Sequence, residues 1–409
     1  MAPMPVLSLK ALESGDYFRL WDNYAADHIA FRDTLVAVSK RISSWQGYTG
    51  REQAEIVASR ANNTGEAMTA EPPNSSDPPP QAPQNSEPPA AAAPPKEADK
   101  PGENAPPRPD EKGRVHGKVL ITGDRAMNLF TYDPAAGKAY ADAVNRIREV
   151  LTSGPEPLER TAVLLAPTAA EFVRSPKWKA LSSSQQEAFG SVYRQLNGQI
   201  TTIDALAALR EHAGEPLHFR TDHHWTATGA YYAYAAYVKA IGLTPIPLSS
   251  YATEKVHGFL GSLYSATLNR RLAEQPDTIV LYKPAVKHEY VVHYSGPLRM
   301  PLLDMSHAGK KNKYRIFLSG DRPWGRITTE SDGPRLAVIK DSYGNALIPF
   351  LLPHFSEIYV IDPRQFNRPL DAFVREHKIR ELLFVNNAEV TMESSFAEQL
   401  RRILGSAAH

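Results

Sequence analysis

The sequence predicts an α/β protein built on an open, mostly parallel sheet. Three short runs late in the chain carry this expectation: Leu336-Ala-Val-Ile339, Ile358-Tyr-Val-Ile361 and Leu382-Leu-Phe-Val385. Each is almost continuously apolar and rich in β-branched or aromatic residues, as strands covered on both faces require. The intervals between them, 345–354 and 370–377, fit one helix each. Strand–helix–strand at this spacing implies right-handed crossovers between parallel strands.

From the start of the chain, residues 1–70 read as a helical segment. Phe18, Leu20, Trp21 and Tyr24, then Ile29, Phe31, Leu35, Val38 and Ile42, recur at helix-like spacing. The segment is short for an independent domain and is expected to pack on the later part of the chain. Residues 71–110 hold 14 of the chain's 34 prolines and no Leu, Ile, Val, Phe, Tyr or Trp. Such a stretch cannot bury apolar surface, so it is expected to be a disordered or polyproline II-like insertion. Residues 111–409 form the third part, the expected catalytic domain. Here 119–122, 163–166, 279–282 and 316–318 add candidate strands to the three above.

Composition narrows the function. The 46 basic and 45 acidic residues leave a formal charge of +1, so no nucleic-acid partner is expected. There is no cysteine, which removes disulfides, thiolate metal sites and cysteine nucleophiles. No stretch reaches the roughly 20 apolar residues that cross a bilayer, and no charged-then-apolar leader opens the chain. That leaves a cytosolic protein, or an exported one whose signal lies outside this sequence. Residues 258–264 hold two glycines without phosphate-loop spacing, and no cofactor is expected.

In open α/β sheets ligands bind beyond the carboxyl ends of the strands. This directs attention to Lys340-Asp-Ser342-Tyr-Gly-Asn345, Asp362-Pro-Arg364 and Asn386-Asn387, whose side chains would converge on one crevice. Ser342 is the hydroxyl best placed on a strand-to-helix turn. Gly344 permits close backbone approach, and free N–H groups at a helix start can stabilise an oxyanion. The same position equally suits a plain N-cap. A serine needs a base to become a nucleophile, and the densest polar cluster offers one: Thr221-Asp222-His223-His224-Trp225-Thr226. Residues i and i+2 of an extended segment share a direction. Asp222 can therefore orient His224 while His224 faces a serine, the roles of a Ser-His-Asp hydrolase or acyltransferase. Two rival readings stand beside this one. Asp222, His223 and His224 could ligate a metal, or the histidines could only cap and pack at the start of a helix. That helix, with Tyr231, Tyr232, Tyr234 and Tyr237, would be capped by Thr226 or Thr228. Asn386 or Asn387 could donate an amide to an oxyanion or be a turn residue. Arg364 could hold a substrate oxygen or form a surface ion pair. Asp124 sits in ordinary Gly-Asp turn chemistry, with a supporting role as the alternative.

On Thr221-Asp-His-His-Trp-Thr226 together with Lys340-Asp-Ser-Tyr-Gly-Asn345, the chain resembles the DHHW family, named for four of those residues. More distantly it is similar to alginate O-acetyltransferases of the J and X type, with their SGNH hydrolase-like domain. Residues 9–42 with Asp27, Phe31 and Arg32, the pair Tyr140 and Asn145, Gly261-Ser-Leu-Tyr264, Asp321-Arg-Pro323 and Ile361-Asp-Pro-Arg364 also match. The resemblance implies an SGNH hydrolase-like, flavodoxin-like sheet and a catalytic triad of Ser342, His224 and Asp222, with the Asp-x-His element ahead of the serine. It implies oxyanion contacts from the N–H groups of Ser342 and Gly344 and from Asn386 or Asn387, with Arg364 touching substrate or oxyanion. It further implies an extracytoplasmic, serine-dependent O-acetyltransferase or acetylesterase acting on a cell-envelope or exported polysaccharide. The acetyl donor would be a membrane-bound acyltransferase, and no metal or cofactor would be used. The alternative is a non-catalytic polysaccharide-binding scaffold of an exopolysaccharide assembly system, with exposed Trp225 and Tyr343 stacking on sugars.

Overall fold

The computed structural model describes residues 113–154, 157–294 and 296–405. The helical segment expected over 1–70 and the Pro-rich insertion over 71–110 lie outside the described residues. The strands in chain order are β1 (Gly113–His116), β2 (Val119–Thr122), β3 (Arg125–Asn128), β4 (Arg160–Ala166), β5 (Thr201–Ile203), β6 (Ala252–Phe259), β7 (Asp277–Lys283), β8 (His288–His293), β9 (Pro297–Arg299), β10 (Trp324–Thr329), β11 (Arg335–Lys340), β12 (Glu357–Ile361) and β13 (Glu381–Asn387). The helices that matter here are α1 (Pro134–Thr152), α2 (Gln185–Tyr193), α3 (Ala227–Ala240), α4 (Ser262–Thr267), α5 (Gly344–Leu351), α6 (Leu370–Glu376) and α7 (Ser395–Ile403).

The molecule is mixed α/β, with one large and mostly parallel sheet of order β5-β4-β13-β11-β12-β10-β8-β9. The first five strands run parallel, and β10, β8 and β9 extend the edge antiparallel. Side chains alternate across it as the pleat dictates. On one face Leu164, Val338, Val360 and Val385 join a core with α3 and α5. On the other, Val163, Ile339, Ile361 and Phe384 join a core with α1, α2, α6 and α7. Both faces are covered, which is why these runs carry so few polar residues.

Three of the expected strands fall elsewhere. Residues 119–122 are a strand, but β2 pairs antiparallel with β1 and β3 in a separate three-stranded sheet. Residues 279–282 are a strand, but β7 pairs antiparallel with β6 in a separate two-stranded ladder. Residues 316–318 are not a strand. A single 3₁₀ turn spans Lys313–Ile316, and Leu318, Ser319 and Gly320 come next with φ of 54°, 55° and 84°. Left-handed backbone at two non-glycine residues ends any extended run and is strained. Ile316, Phe317 and Leu318 are apolar because the turn is buried, and periodicity cannot tell a buried turn from a buried strand over three residues. The antiparallel strands β8 and β10 carry no comparable apolar run.

Candidate active site

The Asp-His-His-Trp segment is held from behind by a buried carboxylate. Asp277, at the head of β7, is fully buried and accepts from the N–H groups of Arg220 (3.0 Å) and Thr221 (2.8 Å) and from the Thr221 hydroxyl (2.6 Å). The Arg220 guanidinium bonds Asp124 at 3.0 Å and the carbonyls of Gln275 and Pro276. Asp124 therefore braces Arg220 rather than serving a local turn alone. On the other side Gly261 presses against Asp222, and a Cβ there would lie 2.3 Å from the Asp222 Cβ and Oδ2. Replacing Gly261 by alanine should destabilise the fold by roughly 1–3 kcal/mol through overpacking. It should also break the Asp222–His224 bond, visible as loss of a downfield imidazole proton in the NMR spectrum; a retained signal would contradict this geometry.

With its frame fixed, the segment turns so that the two side chains share a direction. Asp222 Oδ1 accepts from the His224 N–H at 3.0 Å and lies 2.5 Å from His224 Nδ1. Asp222 Oδ2 accepts from the Ser262 N–H at 2.8 Å, at the first turn of α4. His224 Nε2 lies 2.7 Å from Ser342 Oγ. Asp222, His224 and Ser342 thus form one continuous chain of hydrogen bonds, with the last link joining residues 118 positions apart. Burial alone would raise the Asp222 carboxyl. The imidazoles of His224 and His223 and the Ser262 N–H outweigh it and hold the group well below the usual carboxylate range. Burial pushes His224 down to about 4, with His223 beside it adding to the shift and Asp222 only partly offsetting it. At neutral pH the imidazole is uncharged and its Nε2 can accept a proton.

Ser342 sits beyond β11, half-buried, on the turn into α5. No side chain caps that helix, so the N-cap alternative for Ser342 gives way to the His224 contact. The Tyr343 N–H donates to Asp341 Oδ1 and the Gly344 N–H to the Asp341 carbonyl. Among the described residues the Ser342 N–H has no partner. Gly344 is needed for another reason: its missing Cβ would come 2.7 Å from the Lys340 Cβ. Lys340 is buried under the turn, its Nζ 2.6 Å from Asp321 and 3.6 Å from Asp362. Asp321 also accepts from Asn345 Nδ2 (2.9 Å) and Arg364 (2.9 Å), and the left-handed stretch before it sets its approach.

The structure corrects several expectations. Trp225 and Tyr343 are not exposed platforms, being 0% and 1% accessible. The indole Nε1 donates to the Tyr343 carbonyl at 2.9 Å and the Tyr343 hydroxyl to the His223 carbonyl, so the two rings staple the serine turn to the histidine segment. The Gly344 N–H is spent within its turn and is not free for an oxyanion. Arg364 is not a surface ion pair: its guanidinium, 24% accessible, bonds Asp321 at 2.9 Å and Asp362 at 2.6 and 2.8 Å. Asn386 points to the α1 layer, where its Oδ1 accepts from the Tyr140 hydroxyl at 2.8 Å, with its amide nitrogen buried and unpartnered. Asn387 caps the next turn by accepting from the Glu389 N–H, and its own N–H donates to Asp341. Asn145 joins α1 to the loop at 195–197, away from these groups. Thr226 is the cap of α3. Asp222, His223 and His224 bring possible ligand atoms within 4.8 Å of one another, but both Nδ1 atoms are committed, to Ser262 and to Asp222.

Three participants carried no sequence signal. The Tyr314 ring stacks on the His224 imidazole, centroids 3.7 Å apart and 8° from parallel, and its hydroxyl donates to the Ser342 carbonyl at 3.2 Å. Asp277 accepts from backbone N–H groups and the Arg220 guanidinium donates to backbone carbonyls, contacts that no side-chain motif reports.

Known proteins share this architecture. The family model described as DHHW protein matches residues 89–361. Among solved structures, the chain is similar to a DHHW family protein from Eubacterium siraeum, at 27% identity and a TM-score of 0.63, over 71% of this chain and 97% of that one. It is similar to Bacillus cereus PatB1 at 18% identity and a TM-score of 0.55, over 69% and 97% of the two chains. PatB1 carrying a sulfonyl adduct gives 17% identity and 0.56, over 68% and 96%. No curated protein matches the chain.

Proposed function

Because the chain belongs to the DHHW family, we propose that it is a serine-dependent O-acetyltransferase or acetylesterase acting on a cell-envelope or exported polysaccharide. The observation that carries this reading is the bond sequence Asp222–His224–Ser342 beyond the carboxyl ends of parallel strands. Ser342 Oγ attacks an acetyl carbonyl while His224 Nε2 takes its proton. The bond to the donor oxygen then breaks, His224 returns the proton to that oxygen, and acetyl-Ser342 remains. A sugar hydroxyl or water next attacks the acetyl group with His224 again as base, the bond from the acetyl carbon to Ser342 Oγ breaks, and His224 returns the proton to that oxygen. Asp222 holds the tautomer and balances the imidazolium. The Ser342 N–H is the first oxyanion donor, while the side-chain oxygens of Asn386 and Asn387 are taken by Tyr140 and by the Glu389 N–H.

We read the parallel strands as an SGNH hydrolase-like, flavodoxin-like core. Counted from β11 through β12, β13, β4 and β5, their order is 2-1-3-4-5. This accounts for the Asp-x-His element preceding the serine: the chain enters the same sheet at a different strand. Acetyl supply by a membrane-bound acyltransferase and an extracytoplasmic location belong to the same proposal. Among the described residues no helix is long and apolar enough to cross a membrane. The scaffold alternative loses support from the burial of Trp225 and Tyr343.

The test is acetyl release from p-nitrophenyl acetate together with labelling by a sulfonyl fluoride, the modified peptide being the one that contains Ser342. Since His224 acts as base only when neutral, and burial holds it near about 4, kcat/KM should be flat through neutral pH. It should fall as pH drops through that value rather than through the ordinary imidazole range. Label on another residue, or a limb near 6.5, would count against the assignment.

A further inference from the structure

His223 stands inside the site without a part in the proposed chemistry. Its imidazole lies against that of His224, centroids 3.8 Å apart, and its Nδ1 is 3.9 Å from Asp222 Oδ1. It is the outermost of the three groups: its side chain is 21% accessible, against 5% for Asp222 and 7% for His224. Ser262 Oγ lies 2.6 Å from His223 Nδ1, while the Ser262 N–H holds Asp222 Oδ2. The Tyr343 hydroxyl fixes the His223 carbonyl. Ser262 therefore ties the outer imidazole and the buried carboxylate to one helix start.

We propose that His223, latched by Ser262, is a positioning residue that covers the Asp222–His224 couple, excludes water from it and disfavours a proton on His224. The inference rests on the acyl-transfer reading above. A ring laid over the couple keeps solvent from it, and loss of solvent disfavours the charged form of a buried imidazole. The depression of the His224 pKa by His223, second only to burial, agrees with this placement. The other groups facing the couple are Tyr314 stacked on His224, Ser342 and Tyr343 from the serine turn, Asp321 from the ion network, and Glu389 with Asn128 beside the small cleft that His223 lines. Asp222 and Asp321 favour the charged imidazole, so His223 and burial are what oppose it.

The experiment uses the whole chain with His223→Asn, which keeps a polar atom near the Nδ1 position but removes the covering ring, with Ser262→Ala, and with both together. Turnover of p-nitrophenyl acetate is followed against pH, and the urea midpoint reports folding. In His223→Asn the acid limb of kcat/KM should move up toward the ordinary imidazole range, and kcat at neutral pH should fall between roughly tenfold and a hundredfold with KM little changed, as for a misplaced catalytic group. Ser262→Ala should move the limb the same way by less, and the double variant should match His223→Asn. If His223→Asn does not fold, Ser262→Ala carries the test. A limb that stays in place in the folded variants overturns the latch. Undiminished turnover in Ser342→Ala would instead overturn the acyl-transfer reading itself, so the two failures are distinguishable.

Discussion

Ser342→Ala should lower acetyl release by roughly 10³- to 10⁶-fold while leaving the thermal midpoint close to that of the unaltered chain. The serine hydroxyl is half-buried and makes one side-chain bond, to His224 at 2.7 Å, so its removal leaves no large cavity and no stranded buried charge. What disappears is the atom that forms the covalent bond. His224→Ala should cost about as much, and the two together little more, because the members of such a unit are not additive. Asp222→Asn should cost about 10⁴, since an amide can accept only through one atom and no longer enforces the tautomer. It also loses the carboxylate that balances a buried imidazolium. Steady-state turnover of p-nitrophenyl acetate by the three single variants and the double one checks all of this. Activity within tenfold of the parent in Ser342→Ala would remove the nucleophile assignment.

Asp277→Ala should produce the largest loss of stability, roughly 3–5 kcal/mol, against a typical total of roughly 5–15. The carboxylate is fully buried and receives two backbone N–H groups and the Thr221 hydroxyl, while the Arg220 guanidinium lies 3.5 Å away. Deleting it strands those donors and leaves a buried cation with Asp124 as its remaining carboxylate partner. Burial raises the Asp277 carboxyl despite these donors. The group therefore holds a proton more readily when folded than when unfolded, and the stability this adds at low pH is lost as pH rises through the acid range. The expected loss thus comes from the stranded donors and from the less compensated Arg220 cation, not from a favourable ionisation of the carboxyl itself. A urea midpoint unchanged between parent and Asp277→Ala would show that the donors find other partners.

The parallel strands were legible because both faces of the sheet are covered. Val338, Ile339, Val360 and Ile361 alternate between two cores and are all buried, so the run has no polar gaps for periodicity to miss. The rest of the sheet was less legible because β8 and β10 include the exposed His288 and Glu289 and the half-buried Arg326. Asp222, His224 and Ser342 were readable since side-chain chemistry is written in residue type. Their neighbours were not. Asp277 works on backbone donors, Tyr314 supplies a ring face, and Arg364 is taken by two carboxylates that sequence spacing places 43 and 2 residues away. Trp225 and Tyr343 misled for the converse reason: aromatic residues beside a catalytic motif fit a sugar platform or a packed staple equally well until burial decides.

The order of strands bears on how the chain is made. β4 pairs with β13, so that Arg160 meets Glu381 across 221 positions, and β11 beside it is also late in the chain. On a ribosome adding residues at typical rates, β4 emerges roughly 10–40 s before its inner partner exists. Throughout that interval Ala162, Val163, Leu164, Leu165 and Ala166, all fully buried in the finished protein, have no completed sheet to cover them. Such long-range pairing folds slowly, and an apolar strand left waiting is what holdase chaperones recognise. Newly synthesised chains should therefore depend on such assistance more than the mature protein's two well-filled cores would suggest.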